Sequence, residues 1–266
     1  AIDRATAERL RGNGIPVLEN ARSGIAALGH LARWPRPLPA PNPSVNGERR
    51  QRWAGRLAEP GWDAPAAFEL LSDYGIPVAQ SKAAGDLAGV LAAAEAIGYP
   101  VALKTLGAEH KSDVGGVALG LADPSALRRA YLAMAEALGP RVSVDAMAAP
   151  GVEISVGVVR DDNFGPLVIV AAGGTLVELL ADRAVACPPV NRETATELLR
   201  SLRTAPLLAG WRGAAAVDID ALADVVVGFS ALATELGEFV DAVEVNPVIA
   251  SPSGVVAVDA LVVPRA

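Results

Sequence analysis

A short segment in the first half of the chain combines side chains that suit the binding and transfer of phosphate. It contains one of the only two histidines, His110, and two of the three lysines, Lys104 and Lys111, followed by the glycines Gly115 and Gly116. A lysine at the end of a strand offers a compact positive charge, and glycines let backbone N–H groups approach an anion closely. A histidine can also carry a phosphoryl group. The segment therefore predicts a phosphate site, and the alternative is a solvated surface loop after a buried strand.

The last two strands of the chain predict a metal site. Glu244 and Asn246 alternate with valines, which places both on one face of a strand over 240–249. A turn leads into a second strand over 255–263, whose single acid is Asp259. If the loop has two or four residues, Asn246 lies opposite Asp259, with Cβ atoms roughly 4.5–5.5 Å apart. Such a pair suits Mg²⁺ that arrives with a nucleotide, whereas an odd loop length or a solvent-facing edge hairpin would give no site.

The composition narrows the class of protein. The 266 residues are 52% hydrophobic and only 4% aromatic, which allows a sizeable core of small aliphatic side chains. A net charge of −7 gives no electrostatic case for binding nucleic acid. The single cysteine, Cys187, is typical of a reducing cytoplasm, and no apolar run reaches the ~18 residues of a membrane span. Because the sequence starts without methionine, we expect a processed chain or a fragment.

Hydrophobic periodicity and proline content divide the chain into three parts. A helix–strand–helix piece over 1–34, with helices at 3–12 and 22–33 and a strand at 14–17, precedes a proline-rich linker over 35–62. The remainder mixes helices and strands. Its predicted helices cover 64–75, 85–97, 124–138, 192–202 and 218–236. Its predicted strands cover 75–78, 100–105, 117–121, 142–147, 152–159, 166–171, 175–180, 240–249 and 255–263.

An ordered set of motifs resembles one known family. The motifs YGIPV, IGYPVALK, HKSDVGGV, GVEISVGVVRDDNFGP, GGTLVELLAD, GWRG and EVNP follow one another between about 64 and 264. In this order they resemble the ATP-grasp domain of NDP-forming acyl-CoA synthetases, such as ADP-forming acetyl-CoA synthetase, and more distantly the β subunit of succinyl-CoA synthetase. The resemblance implies an α/β (α+β) fold over 63–266, in which two lobes, about 63–141 and 142–266, hold ATP or ADP between them.

The resemblance also implies roles for individual residues. Glu153, which by itself would be interpreted as a solvent-facing strand residue, would bind the ribose. His110 would relay a phosphoryl group, and Glu244 would receive an incoming phosphohistidine. The metal ligands would be Asn246 and Asp259, as in the hairpin argument. The residues expected at ATP are Lys104, Lys111, Gly115, Gly116, Asp145, Ala146, Met147 and Glu153, with the segment 145–147 meeting the adenine mainly through backbone groups.

The expected function is that of a phosphoryl-transfer module. In the family, acyl-CoA, ADP and phosphate are converted reversibly to acid, CoA and ATP, which makes the complete enzyme an acid-thiol ligase. Residues 1–34 resemble the tail of its ligase-type domain, but the CoA-binding domain and the domain with the main phosphohistidine are absent from these 266 residues, so a partner domain or subunit must supply them. Two departures from the family pattern are Asp145, where Gln or Glu is commoner, and Asp162, where Pro is expected.

An alternative from another class is a nucleotide-sensing regulatory module of a multidomain acyltransferase, which would bind without catalysing. The retained polar residues His110, Asn246 and Asp259 favour the enzyme. The sequence leaves open the acyl substrate, ATP against GTP, and the oligomeric state.

Overall fold

The computed structural model describes residues 3–15, 17, 21–33, 45–106, 111, 114–174 and 180–265. The chain divides into two compact units, Ala1–Ala40 and Pro41–Ala266. The first unit contains two helices, α1 (Arg4–Gly12) and α2 (Ala21–Arg33), close to the predicted bounds. Asp3 caps α1 by accepting a hydrogen bond from Thr6 N. The strand predicted at 14–17 is not formed at its described positions 14, 15 and 17.

The second unit begins with a helix where the sequence predicted linker. Helix α3 (Gly47–Leu57) is capped by Asn46, whose side chain accepts from Arg49 N. Trp53 and Leu57 stand four residues apart, so they share one face of the helix, and both are buried. The prediction of linker to position 62 was therefore wrong over 47–57, because this stretch has an apolar face that packs on the core. The predicted linker residues 35–44 lie outside the described part of the chain.

The smaller of two sheets has four antiparallel strands in the order β1-β4-β2-β3. Helices α5 and α6 pack on one of its faces around Val101, Leu103 and Val144. The elements are β1 (Ser81–Ala84), α5 (Leu87–Ile97), β2 (Val101–Thr105), β3 (Val117–Leu121), α6 (Pro124–Leu138) and β4 (Val142–Ala146). Because β4 pairs with β1 and β2, this lobe extends to Ala146, and the predicted boundary at 141/142 was wrong. Strand β1 was not predicted.

The larger sheet is built mainly from the second half of the chain, in the order β10-β8-β5-β6-β7, with β9 paired to β8. Its strands are β5 (Val152–Asp161), β6 (Gly165–Ala172), β7 (Arg183–Ala186), β8 (Val240–Ser251), β9 (Gly254–Ala257) and β10 (Ala260–Pro264). Strand β7 was not predicted. Of the predicted strand at 175–180, positions 175–179 lie outside the described residues and Leu180 is not in a strand.

Helices cover the inner face of the larger sheet and bury its apolar side chains. They are α4 (Ala64–Asp73), α7 (Arg192–Ser201), α8 (Ala205–Leu208) and α9 (Ile219–Leu236). Phe68 and Leu71 of α4 belong to the same buried cluster as Phe229 of α9 and Val156 of β5. Helix α4 therefore packs with the larger lobe, although the sequence assigned it to the first. Among the described helices, none combines the length and apolarity that crossing a membrane requires.

Candidate functional site

Lys104 lies where the two lobes meet. The residue is on β2, on the face of the smaller sheet opposite α5 and α6, and only 6% of it is exposed. Its Nζ lies 3.0 Å from Asp145 Oδ2 on β4 and donates to the carbonyl oxygen of Val258, which connects β9 to β10 in the larger lobe. A nearly buried ammonium thus faces the other lobe, next to the predicted metal ligand Asp259.

The hairpin register predicted for the metal pair is observed on both sides of that pair. Val245 pairs with Ala260, and Val248 pairs with Ala257. Ser251 pairs with Gly254, so the loop has two residues, one of the lengths that the prediction required. Between these pairs, Val258 N donates to Pro247 O at 3.1 Å. The backbone thus places position 246 opposite position 259.

Each predicted metal ligand presents an oxygen atom to a neighbouring group, and Asp259 does so across the two lobes. Asp259 Oδ1 lies 3.1 Å from Lys111 Nζ, a contact that joins the segment after β2 to the larger lobe. Asn246 Oδ1 accepts from Gly174 N at 3.2 Å. Since the Lys111 ammonium already stands beside Asp259, a cation can reach this carboxylate. An amide oxygen and a carboxylate oxygen are the donors that Mg²⁺ prefers, so the residues present fit the ion.

The two positions of the predicted phosphate loop that hold glycine require it for different structural reasons. Gly116 is buried against β2: its backbone pairs with Thr105 and Lys111, and a Cβ would lie 2.6 Å from Thr105 Cγ2. Gly115 is exposed, with φ at +70°, a conformation that favours glycine. Gly116 therefore permits close packing, and Gly115 permits the turn. His110 lies outside the described residues, so the structure does not position it.

Glu244 opens onto a groove on the outer face of the larger sheet. The groove has a volume of about 380 Å³ and is lined among others by Ser155, Gly157, Asp182 and Glu244. Glu244 is exposed and accepts from Ser155 Oγ at 3.1 Å. Gly157 pairs with Glu244 across the strands, and a Cβ there would lie 2.8 Å from Val243 O. Strand alternation alone does not reveal Ser155, because its partnership with Glu244 depends on the pairing of β5 with β8.

Asp182 is a second groove residue that the sequence did not single out. Burial by itself would raise the pKa of its carboxyl, but hydrogen bonds from Arg203 N, Thr204 N and Thr204 Oγ1 lower it below the usual value. All three bonds are 2.8 Å long. They tie the segment before β7 to the end of α7, which sets one wall of the groove.

The other predicted binding residues lie at the ends of strands. Asp145 is 2% exposed and accepts from Ser81 Oγ at 2.6 Å. Ala146 ends β4, and its N–H donates to Gln80 O at 2.8 Å. Met147, which follows, is 38% exposed. Glu153 is exposed, and its backbone oxygen accepts from Gly173 N at 2.9 Å.

Comparison with known proteins places this arrangement among nucleotide-binding domains. A family model described as ATP-grasp domain matches residues 61–263. The β subunit of ADP-forming acetate–CoA ligase I from Pyrococcus furiosus is 37% identical over 206 residues, which cover 74% of this chain and 88% of that subunit. The ADP-forming acetate–CoA ligase I of Archaeoglobus fulgidus is 33% identical over 268 residues, covering 94% of this chain and 39% of the relative.

Solved structures show the same fold. Acetyl-coenzyme A synthetase 1 of Ca. Korarchaeum cryptofilum, in complex with coenzyme A and Ca-AMPCP, matches with a TM-score of 0.75 and 31% identity over 83% of this chain and 100% of that one. Another structure of that protein contains coenzyme A and Mg-AMPPCP, with a phosphohistidine segment pointing towards the nucleotide binding site; it matches at 32% identity and a TM-score of 0.71, over the same shares of both chains.

Proposed function

We propose that this chain, which belongs to the ATP-grasp domain family, binds ATP or ADP between its two lobes. Its homologues are ADP-forming acyl-CoA synthetase subunits. We propose further that it moves a phosphoryl group between a histidine and that nucleotide. The observation that carries the proposal is the Lys104 ammonium, which is almost buried and contacts both lobes beside Asp259. A buried cation at such a junction suits the charge of a polyphosphate.

In this proposal the two lobes divide the work of binding. Lys104, Lys111 and the backbone at Gly115 contact phosphate oxygens from the first lobe, while Gly116, whose N–H donates to Lys111 O, packs the loop against β2. The segment 145–147, at the end of β4, meets the adenine through backbone groups. From the larger lobe, Glu153 accepts from the ribose hydroxyls.

Asn246 and Asp259 would hold Mg²⁺. When bound, the ion neutralises charge on the phosphate oxygens and orients them. The supporting observation is the register of the β8–β9–β10 hairpin, which places the two positions opposite each other. Lys111, 3.1 Å from Asp259, adds a second positive charge at the same place.

His110 and Glu244 would act on the group that is transferred. When a phosphohistidine at position 110, protonated on its other ring nitrogen, gives its phosphoryl group to ADP, the P–N bond breaks and a P–O bond to the β-phosphate forms, which leaves a neutral imidazole and ATP. Glu244 accepts a hydrogen bond from the imidazole of an incoming phosphohistidine, and Ser155 keeps the carboxylate oriented. The exposure of Glu244 in an open groove supports this role.

The β-subunit relatives imply a partner, an α subunit or CoA-binding domain. We propose that this partner carries the main phosphohistidine and that the complete enzyme converts acyl-CoA, ADP and phosphate to acid, CoA and ATP. Mg²⁺ and the nucleotide are then the cofactors of this chain's half of the reaction.

A calorimetric titration of the 266-residue chain with ADP tests the binding step. We expect one site whose affinity falls when Mg²⁺ is removed with a chelator. Absence of ADP binding in the presence of Mg²⁺ would refute the proposed function.

Transfer of label from γ-labelled ATP tests the chemistry, with the CoA-binding and ligase domain supplied in trans. His110→Ala should lower the transfer rate at least tenfold, or at least ~1.4 kcal/mol of barrier, with ADP affinity little changed. The matched control is His30→Ala, which removes the only other histidine. Binding without transfer in the wild type would instead favour the sensor alternative.

A further inference from the structure

Three polar side chains form a line across the face of the smaller sheet that looks toward the larger lobe. Ser81 on β1 donates to Asp145 Oδ1 on β4 at 2.6 Å, and Asp145 Oδ2 lies 3.0 Å from Lys104 Nζ on β2. Strand pairing explains the line: Ser81 pairs directly with Asp145, while Lys104 pairs with Ser143 and is therefore a diagonal neighbour of Asp145. The opposite face of the same strands is apolar core.

We propose that Asp145 is a positioning residue that acts through Lys104. Its carboxylate, oriented by Ser81, holds the Lys104 ammonium in the cleft, in the place where it meets nucleotide phosphates. This inference rests on the proposed function and assigns to the Asp145 side chain a role apart from adenine contacts through its backbone.

Burial makes a partner for Lys104 necessary. The lysine is 6% exposed and the aspartate 2% exposed, so neither charge is solvated by bulk water. An unpaired buried ammonium is costly, and its flexible side chain can turn toward solvent to avoid that cost. Asp145 opposes that movement by placing a negative charge 3.0 Å from the ammonium. Val258 O, from the other lobe, provides the second contact.

The contacts of Lys104 leave capacity for a ligand. The ammonium has three N–H donors; one is used by Val258 O, and Asp145 Oδ2 attracts the ammonium by charge without being aligned for a hydrogen bond. Ser143 Oγ, opposite Lys104, is also buried, and it has no hydrogen-bond partner among the described residues. Buried polar atoms without partners are uncommon and need an explanation. A phosphate that accepts from the ammonium fits this surplus of polar groups.

The carboxylate would also repel a bound phosphate, and distance decides which effect is larger. A phosphate oxygen in contact with the ammonium stands at about 3 Å from it, and hence at up to about twice that distance from Asp145 on its far side. Because Coulomb energy falls as 1/r, the repulsion is then about half of either attraction. The attraction of Lys104 for the phosphate therefore remains larger than the repulsion by Asp145. We expect the benefit of an ammonium already held in the cleft to exceed that repulsion, so removal of Asp145 should weaken ADP binding.

Calorimetric titration of the chain with ADP and Mg²⁺ tests the inference through Asp145→Asn, which removes the charge and preserves the shape. We expect about tenfold weaker ADP binding, unchanged binding of adenosine, which has no phosphate, and no further loss when Asp145→Asn is added to Lys104→Met. Asp224→Asn is the control, because Asp224 forms an exposed ion pair with Arg192 in the larger lobe. Three results would overturn the inference. ADP could bind Asp145→Asn as tightly as the wild type or more tightly, adenosine binding could fall as much as ADP binding, or Asp145→Asn could weaken ADP binding by the same factor in the Lys104→Met background.

Ser81→Ala keeps the test decisive if Asp145→Asn does not fold. It removes only the hydroxyl that orients the carboxylate, and we expect about threefold weaker ADP binding with unchanged binding of adenosine, in a chain that is less stable but still folded. The matched control is Ser201→Ala, an exposed serine at the end of α7. Unaltered affinity in Ser81→Ala would count against the inference. Failure of the wild type to bind ADP refutes the proposed function instead, so the two failures are distinguishable.

Discussion

Glu235 on α9 is the buried charge on which we base the main stability prediction. The residue is 2% exposed, and both of its carboxylate oxygens are saturated. Arg49 of α3 donates from Nε and Nη2 at 2.9 and 2.8 Å, Asn46 N at 2.9 Å and Tyr74 Oη at 2.9 Å. Because Asn46 and Arg49 begin α3 and Tyr74 follows α4, this one carboxylate joins three helices.

Replacement of Glu235 or of Arg49 should lower the free energy of unfolding by several kcal/mol. Breaking a buried ion pair costs about 3–5 kcal/mol, because the remaining charge stays buried without a partner. Arg49 is 23% exposed in its side chain, so Arg49→Met should lie near the lower end, at about 3 kcal/mol. For a chain of this length that is a fall in melting temperature of about 6–12 °C. Urea titration at pH 7, followed by tryptophan fluorescence, measures the change.

The stability contributed by Glu235 should depend on pH, and the direction of its pKa shift fixes the sign of that dependence. Burial alone would raise the pKa of Glu235, but the hydrogen bonds from Arg49, Asn46 N and Tyr74 outweigh it and lower the pKa below the usual 4.5. A lowered folded-state pKa contributes stability that is present above pH 4.5 and is lost as the pH falls through the folded value. Wild-type stability should therefore decline in acid, and Glu235→Gln should remove this part of the decline while lowering stability at pH 7.

The control is Glu238→Gln, which breaks the exposed pair between Glu238 and Arg50 and should cost at most about 1 kcal/mol. If Arg49→Met changes stability no more than this control does, or if Glu235→Gln leaves the acid decline intact, the reasoning from buried charge is refuted.

Two further predictions concern backbone groups near the candidate site. Asp182→Ala leaves Arg203 N, Thr204 N and Thr204 Oγ1 without their acceptor and should lower the free energy of unfolding by about 1–3 kcal/mol, measured by urea titration; an unchanged midpoint would contradict it. Gly116→Ala places a Cβ 2.6 Å from Thr105 Cγ2 and 2.9 Å from Lys111 O, so it should cost about 1–3 kcal/mol and weaken ADP binding. Gly115→Ala is the matched variant, because open space surrounds the Cβ that it adds. Only the left-handed backbone at position 115 then costs energy, about 1–2 kcal/mol, and ADP binding should weaken less than in Gly116→Ala.

The parts of the fold that the sequence predicted well have strong local signals. Helix α6 was predicted from Asp123 as its cap and from Pro124 in its first turn, and it forms over Pro124–Leu138. The sequence predicted the pairing of positions 246 and 259 on the condition that the loop has two or four residues, and the observed loop has two. Side-chain alternation restricted the register, because a one-residue slip would turn the buried valines to the other face, but the loop length became known only from the structure.

The parts that were missed depend on contacts between distant segments. Strand β4 looks like the first strand of a run that continues into β5, and only its pairing with β1 and β2 assigns it to the smaller sheet. Helix α3 follows five closely spaced prolines, and its partners are distant in sequence: Arg49 donates to Glu235, which is 186 positions away. Ser155 and Asp182 become site residues only through partners on other elements. Nothing within a short window of sequence encodes these pairings.

Glu235 and Lys104 are both buried and charged, and they differ in a way that separates structure from function. Glu235 receives four hydrogen bonds and has no further need of a partner, which is the condition for a group that stabilises a fold. Lys104 has one hydrogen bond and one ion pair, and it lies across from a buried hydroxyl without a partner in the described part of the chain. A folded core does not gain from leaving polar groups incompletely paired, because each costs desolvation energy. The incomplete pairing at Lys104 is therefore best explained by a ligand that completes it, and an anion entering between the lobes has the required charge.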